Sequence, residues 1–297
     1  MLNNGKFLSD SLANYPNLFN DFFTSIIRVG ESSGTLSQNL LYLADEIKKD
    51  KELKSKVRAA LIDPMVLLTA TIAVVGFLTF FVFPKILPVL SGFNVELPAT
   101  TRMLIAILDF SKAYGVISVI ILFFLLLVGR YVYRSVRPIR YFIHRNLLRA
   151  PVLGTLIQYV NIANFSRILG LLLKSGVHIV EAINITSTTF SNLVYRDAFA
   201  GSAEAIRRGE SLATYLDKQP KIFPSLLVGI VSIGETTGNL EENLTYLAGH
   251  YMEETDEALK TLTTLLEPLL LVGMGLVVGF VALSIILPIY SLRQGVG

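Results

Sequence analysis

An internal repeat constrains this chain more than any other feature. Residues 30–44, GESSGTLSQNLLYLA, return at 234–248 as GETTGNLEENLTYLA, with nine of the fifteen positions identical. The same offset of 204 positions aligns further landmarks without a gap: Gly5 with Gly209, Pro16 with Pro220, Phe19 with Phe223, Pro64 with Pro268, and Pro84 with Pro288. Self-similarity of this kind marks a structural unit that is used more than once. The sequence therefore predicts one unit built twice, each copy ending in a long apolar stretch.

Composition and apolar runs indicate a membrane protein. Hydrophobic residues make up 52% of the chain and charged residues 16%, against roughly 25% charged in a typical soluble domain. A helix needs about 20 apolar residues to cross a bilayer core of about 30 Å. Three stretches meet this requirement, and we assign spans to 64–84, 115–133 and 265–292. Residues 1–30 contain no apolar core of a signal sequence, so we expect no cleavable signal peptide.

Lysine and arginine are distributed unevenly between the regions that flank these spans. Residues 1–63 hold eight and residues 130–264 hold fourteen, whereas 84–114 hold three. Because positive side chains remain on the cytoplasmic side of membrane spans, we predict that the first two regions are cytoplasmic and that the third faces outward. The six arginines from Arg130 to Arg149 are expected to contact the anionic inner leaflet or, alternatively, a cytoplasmic partner.

An apolar side chain recurs every three or four residues in both polar regions, which is the period of one helix face. The two matching sets are Leu36, Leu40, Leu43 and Ile47 in the first copy, and Leu240, Leu244, Leu247 and Tyr251 in the second. We therefore predict antiparallel helical bundles whose cores contain these side chains.

The predicted fold class is all-α, with two repeated cytoplasmic helical bundles and three transmembrane helices. The predicted order is a partial cytoplasmic domain at 1–63, transmembrane helices at 64–84, 115–133 and 265–292, an outward loop at 85–114, a second cytoplasmic domain at 134–264, and an outward tail at 293–297. The first copy lacks a counterpart of Phe165–Arg208. A fragment, a misassigned start and a real shortening all remain open.

The repeated motif Gly-Glu-x-x-Gly predicts the corner of a helical hairpin. It comprises Gly30, Glu31 and Gly34 in the first copy, and Gly234, Glu235 and Gly238 in the second. The last glycine of each copy is expected to adopt a left-handed backbone, which glycine tolerates and which commonly ends a helix. Two capping boxes, Thr35 with Gln38 and Asn239 with Glu242, predict that the next helix begins directly after the turn.

Two interpretations of the motif glutamates remain open. In the first, Glu31 and Glu235 accept backbone amides of the helical turn that follows. In the second, they contact a partner or a cation at an exposed corner. A divalent cation needs several converging oxygen ligands, and one glutamate in each motif does not establish them.

Further polar and small residues are candidates for contacts between helices. Asn39 and Tyr42 share a helix face, as do Asn243 and Tyr246 in the second copy, and we expect hydrogen bonds between helices from both pairs. In the third span, Gly275 and Gly279 form a small-xxx-small pair that allows close approach of a helix from this chain or another subunit. The acidic run 253–257 is either a solvated face or a surface for a basic partner.

No motif predicts an enzyme or a cofactor site. The chain contains no GxxxxGK[ST] phosphate loop, no HExxH and no GxSxG. The three histidines, His144, His178 and His250, are isolated, so we expect surface or packed residues rather than metal ligands. The basic residues cluster beside the spans, where lipid headgroups account for them, so we expect no nucleic-acid binding.

The chain resembles the type II secretion F-domain family, the inner-membrane platform proteins of type IV pili and type II secretion systems. The resemblance covers nearly the whole chain and rests on both Gly-Glu-x-x-Gly copies and three further segments: Leu171-Leu172-x-x-Ser175-Gly176-Val177, Phe223-Pro224 and Leu97-Pro98-x-Thr100. It implies a non-enzymatic homo-oligomer in the inner membrane. The implied partners are an assembly ATPase, pilin-like or pseudopilin subunits, other inner-membrane assembly proteins and the lipid bilayer.

A small oligomeric transporter or channel is the alternative function. Ionisable groups inside membrane spans usually mark an ion or substrate path. The centres of the three predicted spans contain none, so the sequence favours the platform.

Overall fold

The computed structural model describes residues 7–16, 18–91 and 98–295, which form an all-α structure with no strand. This confirms the predicted fold class. The helices are α1 (Leu8–Ala13), α2 (Asp21–Ser33), α3 (Leu36–Phe77), α4 (Phe83–Ser91), α5 (Ala99–Ser135), α6 (Arg137–Leu147), α7 (Leu153–Lys174), α8 (Ile179–Thr189), α9 (Leu193–Arg207), α10 (Leu212–Asp217), α11 (Ser225–Thr237) and α12 (Leu240–Gly295). A π-helical segment, Leu78–Val82, joins α3 to α4.

Helices α3 and α12 continue through the prolines at which the sequence places the start of a span. α3 contains Pro64, and α12 contains Pro268 and Pro288. A proline removes one backbone hydrogen bond, but helix formers continue on both sides of each one. α12 is therefore one uninterrupted helix, and α3 continues through Pro64 to the π-helical segment.

Four helices of the described chain are long and apolar enough to cross a membrane. Three of them, α3 with its continuation to Pro88, α5 and α12, bury little of their apolar windows and contain the three predicted spans. The fourth, α7, buries half of its window inside the protein. The burial indicates that α7 is a core helix.

The chain divides into two compact units. The first unit combines Met1–Lys56 with Val136–Leu262. Its side chains form one hydrophobic cluster, which draws on α2 and α3 of the first copy and on α7 to α12 of the second. Fully buried members include Ile26, Ile162, Phe165, Leu169, Tyr195, Phe199, Phe223, Leu227 and Leu244. The two predicted cytoplasmic regions therefore share one core instead of forming two separate bundles, because α2 packs on α8.

The predicted apolar face is correct for the second copy and partly wrong for the first. All four residues of the second set are buried. In the first copy Leu43 is buried, whereas Leu40 and Ile47 are exposed. Asn39 and Glu46 face inward in their place. The face of α3 is rotated because these two polar side chains have buried partners, which are described below.

The second unit comprises Val57–Ser135 and Thr263–Gly297. Within it, Thr101 Oγ1 donates to the Ser284 carbonyl at 2.8 Å, and Ser284 Oγ donates to the Thr100 carbonyl at 3.1 Å. Much of the predicted loop 85–114 is helical, since α4 and the first part of α5 lie in it.

The small-xxx-small pair of the predicted third span has no close neighbour in the described chain. A Cβ added at Gly275 or Gly279 would meet no atom within 4 Å. The part of the chain that the structure describes therefore does not pack against this pair. Contact with another subunit stays a prediction.

Candidate functional site

The final glycine of each motif reverses the chain between two helices, as predicted. Gly34 follows α2 with φ 72° and ψ 12°, and Gly238 follows α11 with φ 74° and ψ 6°. Both lie in the left-handed region, where a side chain is strained. A Cβ at either position would meet no atom within 4 Å, so backbone conformation and not space requires glycine here.

The first glycine of each motif has a different requirement, which is close approach of two helices. A Cβ added at Gly30 or Gly234 would lie 2.9 Å from the Cα of the first residue of the next helix. It would also lie 3.0 Å from the side-chain amide nitrogen of the motif asparagine, Asn39 or Asn243. The absence of a side chain therefore lets the two helices of each hairpin pack directly against each other.

Each motif glutamate caps a short helix that precedes it in the chain. Glu235 accepts the N–H of Leu212 at 2.7 Å and the N–H of Ala213 at 2.9 Å, one on each carboxylate oxygen. These are the first two residues of α10, whose N–H groups lack partners within the helix. Glu31 does the same for the first two residues of α1, Leu8 and Ser9. The expectation that the glutamates bind the turn that follows is therefore wrong.

The capping hydrogen bonds change the acidity of Glu31. Burial raises the pKa of its carboxyl, but the hydrogen bonds from Ser9 and Leu8 outweigh this effect, with a smaller contribution from Arg28. The net result is a pKa below the ordinary value. Glu31 thus remains an ionised acceptor at neutral pH.

The motif asparagine of the first copy makes the expected contact between helices. Asn39 Nδ2 donates to the backbone carbonyl of Ile26 in α2 at 3.0 Å. In the second copy, the amide of Asn243 lies over Gly234. The asparagines therefore belong to the packing of the hairpin itself.

The motif tyrosines do not make the expected hydrogen bonds between helices. The Tyr42 hydroxyl oxygen accepts from Gln38 Nε2 on its own helix at 2.7 Å, while the Nζ atom of Lys174 in α7 lies 5.0 Å from the ring centroid. Tyr246 is exposed and its ring is parallel to that of His250. Tyr42 therefore joins helices through a cation–π contact, whereas Tyr246 remains on the surface.

The predicted helix starts are right, but the first capping box does not form. α3 begins at Leu36, directly after Thr35. Thr35 Oγ1 lies 2.7 Å from Ser33 Oγ, and Gln38 is engaged with Tyr42. The glycine turn and the close packing around it fix the start of the helix without the reciprocal side-chain bonds.

Sequence reasoning missed an ion pair that joins the two copies. Arg167 Nε in α7 lies 2.9 Å from Glu46 Oε2 in α3, with side chains 11% and 9% exposed. Burial raises the pKa of Glu46, and the Arg167 charge lowers it by less. One sequence signal could have placed Glu46 on the buried face of α3. It lies seven residues after Asn39 and three after Leu43, so all three share one helix face.

His144 is a packed residue with a defined role. Its Nδ1 accepts the N–H of Leu193, the first residue of α9, at 3.0 Å. Burial lowers the pKa of the imidazole, and the nearby Arg140 charge lowers it further. A neutral imidazole is required, since a protonated Nδ1 cannot accept. The sequence did not reveal this cap because its partner is 49 residues away.

Within residues 7–16, 18–91 and 98–295, no group of three or more histidine, aspartate or glutamate side chains could hold a metal ion. The Glu31 and Glu235 carboxylates accept hydrogen bonds from backbone N–H groups, so the role that the structure shows for them is structural. Each corner stabilises a helical hairpin and attaches a short helix to it.

The class of protein follows from these features. The chain is an all-α membrane protein in which one helical-hairpin domain, with a glycine–glutamate corner, occurs twice. The sequence model described as "Type II secretion system (T2SS), protein F" matches residues 1–84 and 165–288. The chain belongs to this family, whose members are structural platform proteins of secretion and pilus machines and not enzymes.

Curated relatives carry names from both machines. The type IV pilus assembly protein PilC of Thermus thermophilus is 34% identical over 288 residues, which cover 97% of this chain and 70% of the relative. The type II secretion system protein F of Pseudomonas aeruginosa is 32% identical over 293 residues, 99% of this chain and 72% of the relative. The type IV pilus assembly protein PilC of Pseudomonas aeruginosa is 28% identical over 296 residues, 100% of this chain and 79% of the relative.

Proposed function

We propose that this chain is the inner-membrane platform that couples a cytoplasmic assembly ATPase to pilin or pseudopilin assembly. The observation that carries the proposal is the continuity of the hairpin helices. α3 and α12 each begin at a motif corner of the first unit and continue into apolar, exposed segments. Membership of the secretion and pilus family supports the same role.

Continuous helices are suited to transmit displacement. The helix α12 comprises 56 residues without a break. Three features resist deformation of the hairpin to which α12 belongs. They are the close helix approach at Gly234, the capping of α10 by Glu235 and the hydrophobic core of the first unit. A displacement of the cytoplasmic bundle would then be transmitted along the helix to its membrane segment, because no loop interrupts the helix.

The proposed topology places 1–63 and 134–264 in the cytoplasm, with 85–114 and 293–297 outside and the chain assembled as a homo-oligomer. The lysine and arginine distribution supports it. The chain has no cysteine, so single cysteines can be introduced into an otherwise unreactive background. A membrane-impermeant thiol reagent applied to intact cells should label a cysteine at Met103 and leave one at Ser232 unlabelled. Labelling of Ser232→Cys from outside would refute the topology.

The proposed ATPase contact can be tested on the exposed acidic residues of α12. Glu253 and Glu257 are exposed and four residues apart, so they form one acidic strip. The double variant Glu253→Lys/Glu257→Lys should lose co-purification of the proposed assembly ATPase and should fail to restore pilus assembly or secretion in a deletion strain. Glu204→Lys, a charge reversal at an exposed residue of α9, is the control. Equal ATPase capture by both variants would place the contact elsewhere.

A direct test of coupling follows from the non-enzymatic assignment. The purified full chain alone should not hydrolyse ATP. Added in vesicles to the purified ATPase, it should raise the ATPase rate, and the acidic-strip variant should not. An ATPase rate that is unchanged by the wild-type chain would contradict the proposed coupling.

A further inference from the structure

Helix α6 has features that neither the shared core nor the motif corner explains. It is an eleven-residue helix, RPIRYFIHRNL. It starts after Val136, an extended residue with φ −107° and ψ 96°, and only that residue separates it from α5. The chain therefore ends one long apolar helix and begins a short, separate one immediately afterwards.

One side of α6 is attached to α9 by polar contacts. His144 Nδ1 accepts the N–H of Leu193, as described above, and Arg137 Nη2 donates to Asp197 Oδ1 at 2.8 Å. His144 is the buried residue of the helix. These contacts fix the rotation of α6 about its own axis.

The opposite side of α6 is apolar and exposed. Four side chains at helical spacing lie on it: Ile139, Phe142, Ile143 and Leu147. Phe142 is 65% exposed. In the helical projection, at about 100° per residue, these four lie within an arc of about 140°, which also contains the half-buried Asn146 and is centred about 130° from His144. A mainly apolar face that is exposed in the described chain marks a surface for a partner or a membrane.

The charge around this face specifies the partner. The same projection places the half-buried Arg140 at one edge of the arc and the exposed Arg145 at the other. No aspartate or glutamate occurs between residues 110 and 180, whereas arginines stand at 130, 134, 137, 140, 145 and 149. An apolar helix face with arginine borders is the pattern of a helix that lies in the headgroup region of an anionic membrane.

We propose that α6 is an interfacial helix that binds anionic phospholipid at the surface of the membrane that the chain spans. The apolar arc is inserted among the upper acyl chains, and Arg140 and Arg145 contact headgroup phosphates. His144 and Arg137 hold the cytoplasmic bundle on the other side of the same helix. The proposal rests on the topology in the proposed function, which places this segment at the cytoplasmic, anionic leaflet.

The absence of native cysteines allows a direct test in the full-length chain. Phe142→Cys is labelled with an environment-sensitive fluorophore and reconstituted into vesicles that contain phosphatidylglycerol and lipids brominated near the top of the acyl chain. Bromine quenches only nearby probes, so emission should fall relative to the same vesicles made with unbrominated lipid. Ile233→Cys, which replaces an exposed apolar residue of α11, is the matched control and should keep its emission.

The role of the arginines is tested with Arg140→Gln/Arg145→Gln in the Phe142→Cys background. In phosphatidylglycerol vesicles, the label should be quenched less with these two changes than without them. With both arginines present, quenching should be weaker in phosphatidylcholine vesicles than in phosphatidylglycerol vesicles. Equal quenching in both lipids would overturn the anionic preference. An unquenched label at Phe142 would overturn the interfacial helix, and a disulfide formed between Phe142→Cys residues of two copies would overturn it by showing a second copy on this face.

These outcomes are separable from failure of the proposed function. Quenching at Phe142 does not require the ATPase, so loss of ATPase coupling leaves it unchanged. A reversed topology is detected independently, by reaction of Ser232→Cys with an impermeant thiol reagent from outside the cell.

Discussion

Substitution of the first motif glycine tests whether close helix packing defines the hairpin corner. In Gly234→Ala, the new Cβ would lie 2.9 Å from the Leu240 Cα, 3.0 Å from Asn243 Nδ2 and 3.1 Å from Leu240 Cδ1. The two side-chain atoms can rotate away. The Cα is backbone, so α12 itself would have to shift relative to α11.

The magnitude follows from two opposing effects. Overpacking a close contact costs about 1–3 kcal/mol, while replacing glycine by alanine inside a helix stabilises by about 1 kcal/mol. Gly229→Ala provides a control for the second effect, since Gly229 lies in the same helix and an added Cβ there meets nothing within 4 Å. The stabilisation gained by replacing a helical glycine with alanine is common to both variants, so it cancels in the comparison. Gly234→Ala should therefore be less stable than Gly229→Ala by about 1–3 kcal/mol.

Thermal unfolding of the full chain in detergent measures this difference. The chain has no tryptophan, so loss of helix is followed by circular dichroism at 222 nm. One kcal/mol shifts the Tm by about 2–4 °C in a chain of this size class, so the two variants should differ by about 2–12 °C. Gly30→Ala should repeat the effect in the first copy, where the added Cβ is also 2.9 Å from a backbone Cα. Equal Tm values for Gly234→Ala and Gly229→Ala would refute the close-packing argument.

Three further predictions concern the turn, the buried ion pair and the histidine cap. Gly238→Ala should destabilise by about 1–2 kcal/mol through backbone strain alone, and Gly238→Asn by less; equal Tm values for Gly238→Ala and wild type would contradict a required positive φ. Glu46→Ala should destabilise by about 3–5 kcal/mol because it leaves Arg167 buried and unpaired, whereas Glu46→Leu/Arg167→Met should recover much of the loss; a double variant no more stable than the single one would count against the ion-pair explanation. The pKa of His144 lies below its ordinary 6.5 in the folded protein, so the unfolded chain takes up the proton first and stability should fall as the pH drops below about 6.5. His144→Asn keeps an acceptor and should show a smaller loss of Tm between pH 7.5 and pH 5.5, roughly the range around that pKa; an unchanged pH profile would show that His144 does not titrate in this way.

Local features of the corner could be predicted from the sequence because they depend on a few neighbouring residues. Gly34 adopts the left-handed backbone that a helix reversal requires, and α3 begins directly after Thr35. The side-chain bonds of the capping box could not be predicted. Gln38 has a competing partner, Tyr42, one helical turn away, and the geometry of both side chains decides which bond forms.

The duplicated unit, the all-α fold and the apolar helices could be predicted from the chain alone, because repeats and 3.6-residue periods are visible without any partner. Helix packing was needed to show which residues face the core and what the polar side chains bind. Glu31 reaches N–H groups 22 and 23 residues away, and Glu46 turns inward to meet Arg167 of the other copy. The physical reason is range: backbone conformation is set by adjacent residues, whereas the partner of a buried charge is set by how whole helices pack.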